Sequence, residues 1–116
     1  MHAVLQTVEF GEWFSSLPEA QKEAVFAAVS VLREFGPGLG RPRVNTLKGS
    51  RHANLKELRV QSGGQPLRVL FAFDPRRNIV LLMGGNKKGA KRFYEIMVPR
   101  VERLLDEYLE GQRDGR

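Results

Sequence analysis

Three short apolar segments follow one another between residues 55 and 83, separated only by turn-forming residues, and few folds accept that pattern. Leu55 to Val60 alternates, with Lys56 and Leu58 on one face of an extended chain and Glu57 and Arg59 on the other. Gln61 to Pro66, with Gly63-Gly64 at its centre, predicts a hairpin connection. Leu67 to Phe73 is the next strand, with Leu67, Val69, Phe71 and Phe73 inward and Arg68 on the opposite side. Asp74-Pro75-Arg76-Arg77-Asn78 predicts a turn. Ile79-Val80-Leu81-Leu82-Met83 is apolar without a break, which predicts a strand buried on both faces.

Helical patterns flank this meander. Ala3 to Val8 is β-branched enough for a first strand, and Glu9 to Ser15, with Phe10, Trp13 and Phe14, fits a short amphipathic turn or helix. Ser16-Leu17-Pro18-Glu19 has capping-box spacing. Behind it Leu17, Ala20, Ala24, Ala28, Val31, Leu32 and Phe35 form one apolar helix face, stopped by Gly36-Pro37. Trp13 and the phenylalanines fall on inward faces and are assigned to the core. Gly38 to Asn54 is expected to be a basic loop, and Gly84 to Gly89 a second loop. The last helix carries Phe93, Met97, Val101, Leu104, Leu105 and Tyr108 on one stripe and ends near Gly111, with Pro99 expected to kink or divide it. The order β-α-β-β-β-α predicts an α+β sandwich: a mainly antiparallel sheet with the N-terminal helices and the C-terminal helix on one face. At 116 residues the chain is expected to be one domain, 1–116.

The net charge of +6 hides a segregation. Residues 1–40 carry −3, residues 41–103 carry +11 and residues 104–116 carry −2. A basic block of this density is either the footprint of nucleic-acid binding or a solvated face that maintains solubility. No apolar run approaches the roughly 18 residues of a membrane span. The first residues, Met1 to Leu5, lack the basic and apolar regions of a secretion signal, so a cytoplasmic location is expected. With no cysteine and only His2 and His52, thiol chemistry is excluded, and a metal site or a Ser-His-Asp triad is not expected. Gly84-Gly85 to Gly89, with its two lysines, lacks the spacing and the Ser/Thr of a phosphate-cradling loop. No cofactor is implied.

RNA cleavage needs none of those groups, because RNA brings its own nucleophile, the ribose 2′-OH. Such an enzyme needs cations to offset charge on the phosphorane and groups that move protons. Arg59, Arg68, Lys87, Lys88 and Tyr94 have the right composition, with neighbouring cations expected to lower the pKa of the Lys or Tyr. Glu57 and Arg59, two apart on one face, also fit a plain ion pair. His52 is the one candidate imidazole in the basic loop.

Four segments in order carry a resemblance: Leu55-Lys56-Glu57-Leu58-Arg59; Leu67 to Arg77; Ile79 to Leu82 with Gly84-Gly85-Asn86-Lys87-Lys88-Gly89; and Arg92-Phe93-Tyr94-Glu95 with Val98-Pro99. Together, over roughly residues 3–110, the chain resembles the RelE/HigB toxin superfamily, and within it the phage-derived HigB-like branch. The resemblance implies a RelE-like α+β sandwich and a type II toxin that cleaves mRNA, commonly on the ribosome. It also implies a cognate antitoxin, usually of helix-turn-helix type, through which alone operator DNA is bound. It implies Arg68, Lys87, Tyr94 and Arg59 as catalytic residues. The basic residues Arg41, Arg43, Lys48, Arg51, Lys56, Lys88, Lys91 and Arg92 are, by their charge, the candidates for RNA or ribosome contacts; the first basic loop could equally bind an acidic antitoxin segment. Asn86 departs from the acidic residue common before this lysine. Two other readings remain open at this level: a non-catalytic toxin acting on DNA gyrase, and a basic nucleic-acid-binding module. Convergence of Arg68, Lys87 and Tyr94 in one cleft would separate the first of these from the nuclease.

Overall fold

Thr7 both ends the first strand and starts the first helix. Strand β1 covers Val4–Gln6, and the Thr7 hydroxyl accepts the Phe10 backbone N–H at 3.0 Å to cap helix α1, Val8–Ser15. Val8, read as strand, is thus the first helical residue. Ser16 closes α1, donating its hydroxyl to the Trp13 carbonyl at 2.6 Å. That use of Ser16 overturns the expected capping box: helix α2, Glu19–Phe35, starts behind Pro18 with no side-chain cap. Gly36, at φ +56°, ends α2, and Gly36–Gly38 forms one 3-10 turn. Strands β2 (Val44–Thr46), β3 (Leu55–Ser62), β4 (Gln65–Phe73) and β5 (Ile79–Asn86) follow, then helix α3, Phe93–Arg113. The structure is a computed structural model and describes residues 2–113.

The five strands form one sheet in the order β1-β5-β4-β3-β2, antiparallel except for the parallel β1–β5 pair. The β3–β4 hairpin turns on Gly63 and Gly64, both at positive φ, as a two-residue loop of the twist-matching kind requires. The stretch read as a basic loop contains β2, whose three residues pair with Leu58, Glu57 and Lys56. Three residues without alternation carry no strand signature, and the pairing is a tertiary event.

Gly84 and Gly85, read as loop, belong to β5. A Cβ on Gly84 would lie 2.2 Å from the Trp13 ring, and one on Gly85 would lie 2.8 Å from Phe93. The glycines thus let two aromatic rings press on the strand from the helix layers.

Helices cover both faces of the sheet, not one. Phe10 of α1 and Val25 and Leu32 of α2 pack with Leu58, Val60, Leu67, Val69, Phe71 and Leu81. On the other side Phe93, Met97, Val98, Val101 and Leu105 of α3 pack with Leu55, Leu70, Ala72, Val80 and Leu82. The expected inward row of β4 is correct, and the opposite row, which carries Arg68, lies under α3. Phe26 and Phe35, assigned to the core, are 70% and 60% exposed on α2. Pro99 does not divide α3, which runs on through Gly111. Its missing donor frees only the carbonyl of Glu95, an exposed residue near the helix start. Among the described residues no helix is long and apolar enough to cross a membrane.

Candidate active site

Sheet register builds the site. Arg59 of β3 lies across from Arg68 of β4, and Arg68 lies across from Gly85 of β5. Glu57, two residues before Arg59, shares its face, and α3 lays Tyr94 over it. The Tyr94 hydroxyl donates to Glu57 Oε1 at 2.6 Å. Arg68 Nε lies 3.4 Å from the same oxygen, and Arg59 Nη2 lies 3.8 Å from Oε2. Lys87, in the first turn after β5, holds its ammonium 5.1 Å from the centre of the Tyr94 ring, within cation–π range. The structure therefore brings Arg59, Arg68, Lys87 and Tyr94 together, around a carboxylate that is 2% exposed.

Three cations against one carboxylate leave the cluster positive. The Nε atoms of Arg59 and Arg68 are buried and have no hydrogen-bond partner among the described residues. A buried donor left unpaired costs about 1–3 kcal/mol. An anion that reached these groups would complete their hydrogen bonding and offset their charge.

Tyr94 departs from expectation. Burial first, and then its hydrogen bond to Glu57, raise the phenol above its ordinary value of 10.0; Arg68 opposes them but does not win. The group is held as a neutral phenol and is not tuned toward phenolate. Its single proton points at Glu57, so its lone pairs are what it can offer elsewhere.

The remaining basic residues are dispersed. Arg41, Arg43, Lys48, Lys88, Lys91 and Arg92 are exposed. Arg43 joins the site through its backbone, since its carbonyl accepts the Arg59 N–H at 2.8 Å. Lys56 donates to Thr46 at 3.2 Å, and Arg92 pairs with Glu95 at 2.9 Å. Arg51 and His52 are committed elsewhere: Arg51 pairs with Glu102 and Asp106, and His52 Nε2 lies 2.7 Å from Asp106. The Arg51 backbone N–H and the Ser50 hydroxyl also bind Glu102, holding its carboxyl below its usual value. Asp106 lies twelve residues along α3 from Tyr94, about 18 Å of helix, so His52 serves a clamp and not the cluster. Asn86 has a local use, bonding Gln65 at 2.8 Å and accepting the Lys88 N–H at 2.9 Å, which fixes the turn carrying Lys87. Among the described residues no group of three or more His, Cys, Asp or Glu could hold a metal ion.

Sequence reasoning left Glu57 either as the acid of the Glu-Leu-Arg motif that the resemblance implies or as one member of an ion pair with Arg59, and gave it no place among the catalytic residues. Besides that motif, the signal of its central place was strand alternation, which puts a carboxylate on the same side as Arg59 and, one strand over, Arg68.

The fold class is that of RelE. A chain of the archaeal RelE-RelB complex from Pyrococcus horikoshii OT3 superposes with a TM-score of 0.55, covering 77% of this chain and 98% of that one at 20% identity, a likeness of fold alone. Residues 12–106 match the family described as "Phage derived protein Gp49-like (DUF891)". Two proteins of Mycobacterium tuberculosis (strain ATCC 25618 / H37Rv) are similar in sequence. "Putative toxin HigB2" is 44% identical over 106 residues, which are 90% of this chain and 53% of that protein. "Putative toxin HigB3" is 37% identical over 114 residues, 97% of this chain and 98% of that protein. The chain thus spans about half the length of the first relative and nearly all of the second. It belongs to the phage-derived Gp49-like family, beside these HigB-named proteins.

Proposed function

We propose that this chain is the toxin of a type II toxin–antitoxin pair, and that it cleaves mRNA by attack of the ribose 2′-OH. The observation that carries the reading is the convergence of Arg59, Arg68, Lys87 and Tyr94, with two buried guanidinium donors left unpaired. Arg68 and Arg59 offset the charge that builds on the phosphorane, the step at which a preorganised donor contributes most. The Tyr94 oxygen accepts a hydrogen bond from the 2′-OH and orients it. As the 2′-oxygen bonds to phosphorus, the bond to the 5′-oxygen breaks. Lys87 gives a proton to that leaving oxygen, and the 2′-OH proton departs to solvent. The products are a 2′,3′-cyclic phosphate and a 5′-hydroxyl. Arg41, Arg43, Lys48, Lys56, Lys88, Lys91 and Arg92 serve backbone contacts that position the strand. The HigB names of the relatives and the RelE–RelB complex support an antitoxin partner; ribosome-bound message in the cytoplasm is the proposed target.

The test is induced expression in a bacterial host with mRNA 5′ ends mapped, comparing wild type with Arg68→Ala and Lys87→Ala. Growth arrest with new 5′ ends is expected, and each substitution should lower cleavage by about 10²–10³-fold. Arrest with intact message would refute the nuclease and favour a target such as gyrase. Tight RNA binding without arrest would leave only a binding module.

A further inference from the structure

We infer that Glu57 is the positioning residue of the site: its buried carboxylate fixes the polarity of the Tyr94 hydroxyl and aims Arg68, without touching the RNA. The geometry stands by itself, and only its consequence for cleavage rests on the ribonuclease reading.

Oε1 holds the phenol proton, and both carboxylate oxygens face guanidinium groups. Oε1 takes the Tyr94 hydroxyl at 2.6 Å and faces Arg68 Nε at 3.4 Å, while Oε2 faces Arg59 Nη2 at 3.8 Å. A general base must come within about 2.6–3.2 Å of the proton it removes. Glu57, at 2% exposure, is shielded from a ribose by burial. Its work is instead on its neighbours.

The first neighbour is Tyr94. A phenol has one proton, and Glu57 holds it, so the oxygen presents only lone pairs to an incoming hydroxyl. Without the carboxylate the O–H would rotate freely and could donate to the phosphate as readily as accept from the nucleophile. The second is Arg68, directly opposite Arg59 in the β3–β4 register. Like charges in that position repel, and Arg68, at 9% exposure, cannot swing into water. One carboxylate between them lets both guanidiniums share a face. Other charges near Tyr94 are Lys87 over its ring and the exposed Arg92–Glu95 pair at the start of α3. None of these replaces an acceptor for the phenol proton.

Tyrosine 13Cζ NMR tests this directly, because the chain has only Tyr94 and Tyr108 and the experiment reads phenol ionisation without any RNA. In wild type Tyr94 is expected to remain mostly protonated at its ordinary midpoint of 10.0. In Glu57→Gln, with Arg68 and Lys87 unopposed, the midpoint should fall by about one pH unit or more. Cleavage in the expression assay should fall by about 10²-fold in a variant that circular dichroism shows to be folded, though less stable than wild type. If Glu57→Gln does not fold, Glu57→Asp keeps the charge but withdraws it by one methylene, and the Tyr94 midpoint should again fall. A folded variant whose Tyr94 titrates along the wild-type curve would overturn the assignment. So would full cleavage by a folded Glu57→Gln where wild type cleaves. If wild type itself makes no cuts, the nuclease reading fails while the titration still decides the role of Glu57.

Discussion

Asp74, 5% exposed at the β4–β5 turn, works as an anchor rather than a reagent. Its Oδ1 accepts the backbone N–H groups of Arg76 and Asn78 at 2.9 and 2.8 Å. Its Oδ2 accepts from Asn78 Nδ2, the Tyr108 hydroxyl and Gln112 Nε2 at 3.0, 2.8 and 2.9 Å. Burial alone would raise this carboxyl, but the donors together hold it below its ordinary value of 3.8. Tyr108 shows the opposite effect, pushed up to about 12 by burial and then by Asp74. A depressed carboxyl stabilises the fold above its unfolded pKa, and the benefit disappears as the pH falls through the folded one. A raised phenol stabilises below its unfolded pKa of 10.0, and the benefit is lost as the pH climbs toward about 12. Asp74→Asn turns an amide NH2 toward three donors or loses them, and should cost about 1–3 kcal/mol in urea unfolding at neutral pH. It should also flatten the acid side: wild type must lose more stability than the variant between pH 7 and about pH 3. Equal losses would show that Asp74 is not the acid-sensitive group.

Trp13 of α1 meets β5 at Gly84, and at this contact the sequence is misleading. A Gly-Gly pair ordinarily punctuates chain structure, yet here it keeps a strand flat enough for Trp13 on one side and Phe93 on the other. Gly84→Ala would place a Cβ 2.2 Å from the ring, so one helix layer must move. A loss of about 1–3 kcal/mol in denaturant is expected from such overpacking. A neutral result would mean that Trp13 swings away and that the α1–β5 contact is soft. The meander was legible because alternation and turn residues are local, and so was α2, with Gly36 at its end. The helix on the second face was missed although Leu67 to Phe73 is apolar on both rows save Arg68, the same sign that marked 79–83 as doubly buried. For the site, alternation and the resemblance named Arg59, Arg68, Lys87 and Tyr94. They could not give Glu57 its place, because its bond to Tyr94 joins residues 37 apart in sequence.

Charge is segregated along the chain, and the fold keeps the two parts apart. Residues 1–40, which hold α1 and α2, carry −3, while residues 41–103, which hold the site, carry +11. At physiological salt such fields extend only about 8 Å, so the acidic residues of α1 and α2 are largely screened from the Glu57 cluster on the other face of the sheet. A polyanion is repelled by the α1–α2 side and drawn to the loops around Lys87 and the start of α3. Single-stranded RNA binding should therefore weaken steeply with salt, by about 0.7 in the log–log slope for each phosphate contact. Removing Lys88, Lys91 and Arg92 together by alanine substitution should cut that slope by about 2 in total if each makes one contact. Cleavage positions should not move, because these exposed residues lie outside the Glu57 cluster. Lys22→Ala, on acidic α2, removes the same kind of charge and should leave the slope unchanged. Fluorescence anisotropy of a labelled oligonucleotide between 50 and 200 mM salt separates the cases. An equal drop for Lys22→Ala would mean that RNA responds to net charge alone. No drop for the triple variant would move the strand's path to the Arg41–Lys48 side of the site.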